Sequence, residues 1–330
     1  MKLKNSYFFT LRENSKDEDS VSGNLLVKAG FIKKTSAGVY MMLPLGLKVE
    51  NKIENIIRKH MDRAGSQEVK MPALIASDYY ENSGRLQGFG PSIFKLKDRS
   101  GKDMVLGPTH EELFAYASKS MIRSYKDMPF NLYQIQTKFR DEPRARFGLI
   151  RVKEFVMKDA YSFDRDEAGL DVSYKKMFDA YKDIFDEIGL DYRIVKADTG
   201  IMGGLLSEEF QAIAPIGEDS VIYCDCGYSS NEEVAELVST VSSEEEKEIE
   251  EVATPHAKTI EEVCEYLHVD PSKSVKALLM NVNNELVVFF IRGDRELNEN
   301  KVCKLLHCSE VNFADDALIA GSNAVPGFTG

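Results

Sequence analysis

Several features that would narrow the class of this 330-residue chain are scarce or missing. It has no tryptophan, which excludes nothing by itself, and it shows no internal repeats. Its five cysteines are an odd number of scattered residues, which favours reduced thiols over a disulfide framework. No apolar run approaches the roughly 20 residues of a membrane-spanning helix, and the polar N-terminus lacks the hydrophobic region of a secretory signal. The sequence therefore predicts a cytoplasmic protein with no membrane partner.

The nearest approach to a metal motif is the segment from Cys224 to Cys226. A structural zinc site takes four ligands, paired cysteines are usually two or more residues apart, and no second pair lies nearby. Cys264, Cys303 and Cys308 alternate with leucine and valine residues, which is typical of apolar helix faces. The sequence therefore predicts no metal site held by protein side chains.

Negative charge exceeds positive charge, but the excess is unevenly distributed. The net charge is −12; residues 1–160 hold 28 basic and 19 acidic residues, and residues 161–330 hold 14 and 35. The first part, at +9, can attract phosphate, whereas the second, at −21, cannot do so by net charge. With 43% hydrophobic residues, a chain of this length can bury a large core and should form two domains.

The segment 131–155 carries the strongest functional signal. In its first half, mainly apolar residues alternate with polar ones. This alternation predicts a strand with one dry, buried face and one wet, solvent-exposed face. Pro143 and Gly148 bracket a short loop, after which a second apolar-rich run begins at Arg151. The dry-face residues are Tyr133, Ile135, Thr137 and Phe139, and the wet-face residues are Gln134, Gln136, Lys138, Arg140 and Glu142.

A hairpin of this kind brings guanidinium groups beside a carboxylate. Guanidinium forks suit phosphate oxygens, and a carboxylate can accept a hydrogen bond from the exocyclic amine of a base. Arg140, Glu142 and Arg151, with Arg144 and Arg146 in the loop, therefore suit a nucleoside triphosphate. The residues alone leave open a surface strand with ordinary salt bridges.

The wider pattern resembles motif 2 of the class II aminoacyl-tRNA synthetases, which reads F-R-x-E, a loop and R-x-x-x-F, and here runs from Phe139 to Phe155. Other segments resemble the bacterial prolyl-tRNA synthetase family, in the family's order and from about Tyr7 to the last residue. These segments are 107–112 (GPTHEE), 131–138 (NLYQIQTK), 157–163 (MKDAYSF), 197–200 (ADTG) and 292–298 (RGDRELN).

The resemblance implies an α+β fold, in which helices flank the antiparallel sheet of a class II catalytic domain and an α/β editing domain is inserted. We place the catalytic domain at residues 1–225 and the editing-type insertion at residues 226–330, with an acidic connector at about 239–254. Residue periodicity predicts helices at Leu47–Ala64, Tyr174–Ile188, Ile260–Leu267 and Asn298–Leu306, and a hairpin of Val275–Asn281 with Glu285–Ile291 around Asn283-Asn284.

Residues Tyr40 to Ala64 resemble motif 1, which lies at the subunit contact in this family. The resemblance therefore implies a homodimer formed through this element. Pro44 predicts an extended entry before the helix, and Gly65 marks the end of the helix. Periodicity alone leaves open a helix packed inside its own subunit.

In this family the enzyme joins proline to the α-phosphate of ATP and passes it to the acceptor end of tRNA(Pro). By resemblance, Arg140 contacts the α-phosphate and the prolyl carboxylate, and Glu142 holds the adenine amine. Arg151 reaches the terminal phosphates, Phe155 stacks on adenine, and Mg²⁺ neutralises the pyrophosphate. ATP with Mg²⁺ is therefore the expected cofactor.

The substrate proline is expected to bind close to this hairpin. Thr109 and Glu111 match the family's T-x-E element, which supplies acceptors for the proline ammonium, with Asp159 and Gly203 completing the pocket. Two leucines, at 205–206, follow the glycine pair at a place where the family usually has small polar residues.

A pocket built for proline cannot strongly reject the smaller alanine, so a second, hydrolytic site is expected. Lys276 matches the lysine that editing insertions use to hold the 3′ end of mischarged tRNA. Two purely structural alternatives stay open. Lys276 fits an ordinary exposed strand lysine, and Thr109 with Glu112 fits a helix capping box.

Motif 3, with its ATP-binding arginine, and the anticodon-binding domain of the family have no counterpart here. We therefore expect this sequence to be the N-terminal part of a longer enzyme and to be poorly active alone. One alternative is a non-catalytic synthetase-like paralogue, or a fragment, that binds nucleotide or tRNA. Another is a different class II ligase, of the threonyl or histidyl type.

Overall fold

The computed structural model describes residues 3–18, 20–197, 206–236, 248–255, 257, 259–306, 308 and 311–325. The chain forms two compact units. The first contains residues 1–193 and 210–218, and the second contains residues 194–209 and 219–330. The domain boundary that the sequence places after residue 225 stays a prediction.

The first unit combines helices with mainly antiparallel strands. Its helices are α1 (Val21–Lys28), α2 (Pro44–Arg63), α3 (Asp78–Asn82), α4 (Arg85–Gly88), α5 (Glu111–Lys119) and α6 (Glu167–Ile188). Its strands are β1 (Ile32–Ser36), β2 (Val39–Met42), β3 (Gln67–Glu68), β4 (Leu74–Ala76), β5 (Lys95–Lys97), β6 (Asp103–Leu106), β7 (Phe130–Phe139) and β8 (Glu154–Phe163). The strands form three sheets, in the orders β1-β2, β3-β7-β8 and β4-β6-β5.

Strands β7 and β8 are the predicted hairpin. They pair antiparallel from Phe130 opposite Phe163 to Phe139 opposite Glu154, and β3 joins β7 in parallel. Beyond them, the backbones of Arg146 and Arg151 exchange hydrogen bonds of 3.1 and 3.3 Å, which closes the loop. The strand ends at Phe139, so Arg140 and Glu142 lie just past its end rather than within it.

The predicted wet face of β7 is wrong at its centre. Gln134 and Lys138 are fully buried, as is Tyr133 on the opposite face. The Gln134 amide accepts a hydrogen bond from the Met71 backbone at 3.0 Å and donates to a carboxylate of β8. Polar side chains can be buried when their hydrogen bonds are satisfied, so tertiary partners override the alternating pattern here.

Helix α2 begins at Pro44, three residues earlier than predicted, and ends at Arg63. Strand β2 provides the predicted extended entry. Proline is well suited to the first helical position because its fixed φ fits a helix and its missing N–H needs no partner there. Gly65, at a φ of +86°, follows the last turn as expected. Leu47, Val49 and Ile53 on this helix remain exposed in the single chain.

Helix α6 is longer than predicted and starts at Glu167. Asp166 caps it by accepting a hydrogen bond from the Gly169 backbone at 2.8 Å, and it ends at the predicted Gly189. Its aromatic residues pack mainly inside the first unit, although Tyr174 is exposed. Phe210 contacts the rings of Phe178, Tyr181, Phe185 and Tyr192.

The second unit contains the predicted hairpin and helices. The chain passes between the units within β9 (Tyr192–Lys196) and again within β10 (Glu208–Ala212). The other elements are β11 (Val221–Tyr223), β12 (Ser229–Asn231), α7 (Ile260–Leu267), β13 (Val275–Val282), β14 (Glu285–Arg292), α8 (Glu299–Leu306), β15 (Val311–Phe313) and α9 (Asp316–Ile319). Lys196 on β9 pairs in parallel with Ser230 on β12. Asn283 and Asn284 form the turn between β13 and β14 with φ of 52° and 65°, as a two-residue type I′ turn requires.

One hydrophobic cluster organises the hairpin region of the second unit. Met280 and Val282 on β13 pack with Val302 on α8 and Val311 on β15. The part of the acidic connector that is described, residues 248–254, forms neither helix nor strand. Among the described residues, no group of three His, Cys, Asp or Glu side chains could hold a metal ion, and no helix is long and apolar enough to cross a membrane.

Candidate active site

The T-x-E element forms a hydrogen-bonded unit at the start of α5. Thr109 is buried, and its Oγ1 donates to Glu111 Oε2 at 2.5 Å, while Arg85 contacts the same carboxylate oxygen at 3.1 Å. The Tyr80 hydroxyl donates to the Thr109 carbonyl at 2.5 Å. The N-cap position of α5 is His110, and no side chain caps the helix there, so the capping-box alternative for Thr109 is wrong. The threonine hydroxyl is already bonded to Glu111.

A second carboxylate, Asp159 on β8, is surrounded by donors. Lys138 Nζ lies 2.8 Å from Asp159 Oδ1, and the hydroxyl of Tyr161 donates to Oδ2 at 2.7 Å. Gln134 Nε2 donates to the same Oδ2 at 3.1 Å. Tyr161 also lies 3.4 Å from Thr109 Oγ1, so a chain of hydroxyl groups links Asp159 to the T-x-E element. A charge this buried is stable only when it is paired and hydrogen-bonded, as Asp159 is.

The fully buried Lys138 also fixes the state of His110. Its ammonium lies 2.7 Å from His110 Nδ1, and His110 Nε2 lies 3.1 Å from the carbonyl of Pro72. An ammonium can only donate, so Nδ1 is the acceptor, the Nε2 hydrogen donates to Pro72, and the ring is neutral. Burial, followed by the Lys138 charge, lowers the pKa of His110 and favours that neutral form. Burial also lowers the pKa of Lys138, and the hydrogen bond to Asp159 opposes this.

Close packing against His110 and Ile75 requires a glycine at position 107. A Cβ at this position would meet the ring of His110 and the side chain of Ile75 at 2.9 Å. The Gly107 carbonyl also accepts a hydrogen bond from Phe139 at 3.1 Å, which ties the T-x-E element to the end of β7. A larger side chain would therefore disturb the histidine and the strand together.

Arg140 follows directly after β7 and is largely buried. Its guanidinium lies over the ring of Phe155, 5.4 Å from the centroid. Among the described residues, its buried Nε has no hydrogen-bond partner. Burial lowers the pKa of Arg140, and the charge of Glu111 opposes that shift, although an arginine stays protonated in either case. Arg140 is thus a buried cation with an available donor, within electrostatic reach of the T-x-E carboxylate.

The loop end of the hairpin holds exposed ion pairs. Arg151 Nε lies 3.0 Å from Glu142 Oε2, and its NH1 group lies 2.8 Å from Glu218 Oε2. Arg146 Nε lies 2.8 Å from the other oxygen of Glu218. The bond to Arg151 lowers the pKa of Glu142, and the bond to Arg146 lowers the pKa of Glu218, so both carboxylates are ionised at neutral pH.

The structure brings the predicted site residues together in the first unit in two groups. Thr109, Glu111 and Asp159 share one hydrogen-bonded network, and Glu142 pairs with Arg151. Gly203 and Leu205 lie outside the described residues, and Leu206 is 84% exposed. Lys276 lies on β13 of the second unit, where its Nζ contacts Glu296 Oε1 at 2.9 Å.

Sequence reasoning missed the residues that support these groups, namely Arg85, His110, Gln134, Lys138, Tyr161 and Glu218. One usable signal was present, because Gln134, Lys138 and Asp159 would share a face if β7 and β8 paired in register. Glu218 carried no signal, since it lies 67 residues beyond Arg151 and its partners are set only by the fold.

Two family models match the chain. One is described as the tRNA synthetase class II core domain (G, H, P, S and T) and matches residues 94–291. The other is described as an aminoacyl-tRNA editing domain and matches residues 254–330. The α+β fold with a class II core and an editing domain is thereby confirmed.

Curated relatives match nearly the whole chain. The proline–tRNA ligase of Caldicellulosiruptor saccharolyticus is 48% identical over 318 residues, which cover 96% of this chain and 56% of that protein. The proline–tRNA ligase of Maridesulfovibrio salexigens is 46% identical over 338 residues, which cover 100% and 58%. The chain thus spans somewhat more than half the length of these relatives.

Solved structures share the fold at lower identity. The Giardia lamblia prolyl-tRNA synthetase in complex with prolyl-adenylate superposes with a TM-score of 0.55 at 20% identity, over 59% of this chain and 41% of that chain. The Cryptosporidium parvum prolyl-tRNA synthetase complexed with L-proline and AMP gives 0.51 at 16%, over 61% and 44%. With a core-domain match over more than half of its length, the chain belongs to the class II tRNA synthetase family, and it is similar to the proline–tRNA ligases along nearly all of its sequence.

Proposed function

We propose that this protein activates proline with ATP and transfers it to tRNA(Pro). The observation that carries the proposal is a largely buried cation and a carboxylate in one site. The Arg140 guanidinium, whose buried Nε is an available donor, lies within electrostatic reach of Glu111, whose oxygen already accepts from Thr109. A zwitterionic amino acid needs a cation for its carboxylate and an anion for its ammonium, and these residues supply both.

The proposed roles follow from that arrangement. Thr109 and Glu111 hold the proline ammonium, and Asp159, supported by Lys138 and Tyr161, completes the polar side of the pocket. Arg140 holds the prolyl carboxylate against the α-phosphate and stabilises the charge that develops on the phosphate oxygens as pyrophosphate leaves. No protein nucleophile is needed, because positioning and electrostatic stabilisation supply the catalysis.

The nucleotide is proposed to bind along the loop end of the hairpin. Glu142 accepts the adenine amine, Arg151 contacts the terminal phosphates, and Phe155 stacks on adenine. Gly203 is proposed to line the proline pocket on the basis of sequence resemblance alone.

Mg²⁺ is expected to enter this site with the nucleotide rather than to occupy a ready-made site in the protein. The carboxylates beside the arginines, Glu142 and Glu218, are engaged in ion pairs, and the described residues present no cluster of three metal-binding side chains. Mg²⁺ commonly takes substrate phosphates, waters and one or two carboxylates as its ligands. The residues described here therefore do not form a magnesium cage on their own.

The experiment is proline-dependent exchange of pyrophosphate into ATP by the complete gene product that contains these 330 residues. Arg140→Ala should lower the exchange rate about 10²- to 10³-fold, the usual loss when one oriented transition-state contact is removed. Arg99→Ala, at an exposed arginine between β5 and β6, is the matched control and should exchange normally.

Three outcomes would contradict the proposal in different ways. Near-normal exchange by Arg140→Ala would remove the assigned role of this residue. Faster exchange with threonine or histidine than with proline would favour another class II ligase. ATP binding without exchange on any amino acid would favour the non-catalytic, nucleotide-binding alternative.

A second proposed activity is hydrolysis of alanyl-tRNA(Pro) by the region that matches the editing domain. Lys276 lies on β13 with its side chain 20% exposed, and its Nζ contacts Glu296, which is 90% exposed and can give way to a ligand. Lys276→Ala should slow deacylation of alanyl-tRNA(Pro) while leaving proline-dependent exchange unchanged. An equal loss of both activities would indicate a structural role.

The quaternary and cellular proposals rest on α2 and on the sequence. Val49 and Ile53, four residues apart, are exposed on one face of α2 that a second subunit would cover, and we propose a homodimer through residues Tyr40 to Ala64 in a cytoplasmic protein. Sedimentation of wild type and Ile53→Asp tests the dimer. Two monomeric species, or two dimeric ones, would argue against this interface.

A further inference from the structure

Glu218 occupies a distinctive position in the first unit. It is the last residue of the segment 210–218, after which the chain enters the second unit. Its two carboxylate oxygens bind two different arginines, with Arg146 Nε 2.8 Å from Oε1 and Arg151 NH1 2.8 Å from Oε2. One anion with two oxygens therefore holds two guanidinium groups of the nucleotide hairpin.

The two arginines are presented as a pair by the backbone. Arg146 and Arg151 exchange backbone hydrogen bonds across the loop, so they lie opposite each other in the hairpin. Residues directly opposite each other project to the same side, and this brings both guanidinium groups to a single anion. The arrangement of donors is what a phosphate group would require.

Arg151 already binds two carboxylates without a nucleotide. Its Nε binds Glu142 and its NH1 binds Glu218, so two carboxylates already use the donors that a triphosphate would need. A triphosphate that takes Nε and NH1 of Arg151 as its donors must therefore replace these carboxylates.

The contact to Glu218 is suited to such an exchange. The side chains of Glu218, Arg146 and Arg151 are 26%, 44% and 36% exposed, so water and anions can reach them. Ion pairs with this exposure contribute little net free energy. A triphosphate carries more charge and more acceptor oxygens than one carboxylate, so it can displace Glu218 readily.

We propose that Glu218 is a competing anion that stands in for the phosphate of the nucleotide. It holds Arg146 and Arg151 at the phosphate site until ATP arrives, and the triphosphate then takes both arginines from it. This inference rests on the proposed function, because it assumes that the hairpin binds ATP. It adds Arg146 to the phosphate site and makes Glu218 a built-in competitor of the nucleotide.

The test compares three ligands on three proteins. Dissociation constants for ATP, inorganic tripolyphosphate and adenosine are measured by calorimetry at low salt on the complete gene product that contains these 330 residues, as wild type, Glu218→Gln and Asp219→Asn. Glu218→Gln keeps the side-chain shape and removes the charge. Asp219→Asn removes the same charge one residue further along, at a side chain that forms no ion pair within the described residues.

Glu218→Gln should bind ATP and tripolyphosphate about threefold to tenfold more tightly than wild type, because the competing carboxylate is lost. Adenosine, which lacks phosphate, should bind equally to all three proteins, and Asp219→Asn should resemble wild type. Unchanged or weaker phosphate binding by Glu218→Gln would overturn the inference. An equal gain in Asp219→Asn, or for adenosine, would overturn it as well.

Failure of the proposed function would look different. A wild-type chain that binds neither ATP nor tripolyphosphate would contradict both, since the arginines would then hold no phosphate. If the gene product shows no proline-dependent exchange but its Glu218→Gln variant still binds phosphate more tightly, only the proposed function would be contradicted.

Discussion

Two regions of the β7–β8 hairpin, the buried interior of its paired strands and its loop end, hold their charges in opposite ways. In the interior, Lys138 and Asp159 are 0% and 9% exposed, and each has several fixed partners. At the loop end, Arg151 and Glu142 are 36% and 18% exposed and pair directly with each other. The interior is preformed and resists change, whereas the loop end can exchange its partners.

This difference matches what each region is proposed to bind. A small amino acid must be distinguished from similar molecules, which requires acceptors and donors held in one geometry before it arrives. A triphosphate carries enough charge to displace weak ion pairs, so its site can be held closed by the protein's own carboxylates. Burial therefore separates the residues that determine stability from those that determine nucleotide binding.

The largest effect that would test this comparison is on stability. Lys138→Met removes the ammonium and leaves the Asp159 carboxylate buried without its cation, so the free energy of unfolding should fall by about 3–5 kcal/mol. Lys153→Met is the matched control, because Lys153 is 30% exposed and pairs with Asp141 at 2.6 Å. That loss should stay below about 1 kcal/mol. Urea unfolding of both variants beside wild type measures the difference. Similar losses would mean that burial does not distinguish the interior from the loop end.

The next effect concerns the substrate. Glu111→Gln keeps the shape of the T-x-E element and removes its charge, so KM for proline should rise about 10- to 100-fold, while KM for ATP changes little. Glu112→Gln is a suitable control, because Glu112 also binds Arg85 but does not contact Thr109. Exchange kinetics with each substrate varied in turn separate the two constants. Equal changes in both constants would indicate a structural role for Glu111.

How much of the fold and of the candidate site could be predicted depends on whether the residues that determine each feature are close together in the sequence. The Asn283-Asn284 turn and helix α7 were predicted correctly, because turn chemistry and apolar periodicity lie within a few neighbouring residues. The wet face of β7 was wrong because Lys138 finds its partners 28 residues earlier and 21 residues later along the chain, at His110 and Asp159. Only the folded sheet brings these residues together.

The starts of α5 and α6 also differ from the prediction, each because a side chain forms a different local contact from the one expected. The sequence of α5 contains a capping pattern at Thr109, but that hydroxyl donates to Glu111, and its neighbour Tyr161 lies on a different strand. Helix α6 begins seven residues before its regular apolar pattern, at a cap on Asp166. The motif residues themselves could be recognised from the sequence, whereas the residues that support them could not.

A smaller effect should appear as a pH dependence of stability that comes from the buried interior, at His110. The pKa of His110 is lowered in the folded protein, so below the unfolded value of about 6.5 the unfolded chain binds a proton that the folded chain resists. Stability from this group is therefore present above pH 6.5 and is lost as pH falls towards the folded pKa, by on the order of 1 kcal/mol. Melting temperatures at pH 7.5 and 5.5 measure it. His110→Gln should show a smaller difference between the two pH values than wild type, and an equal difference would mean that His110 is not the group responsible.

The smallest effect on stability is expected at the loop end. Glu142→Gln keeps the shape of the side chain and weakens an exposed ion pair with Arg151, so unfolding should change by less than about 1 kcal/mol. Its effect on nucleotide binding should be larger, because a charge-assisted hydrogen bond to the adenine amine is lost, and KM for ATP should rise about tenfold with KM for proline unchanged. Thermal unfolding and exchange kinetics on the same preparation give both values. If Glu142→Gln instead destabilised the protein as strongly as Lys138→Met, the loop end would be a structural element too, and ion pairs this exposed would not be free to exchange for phosphate.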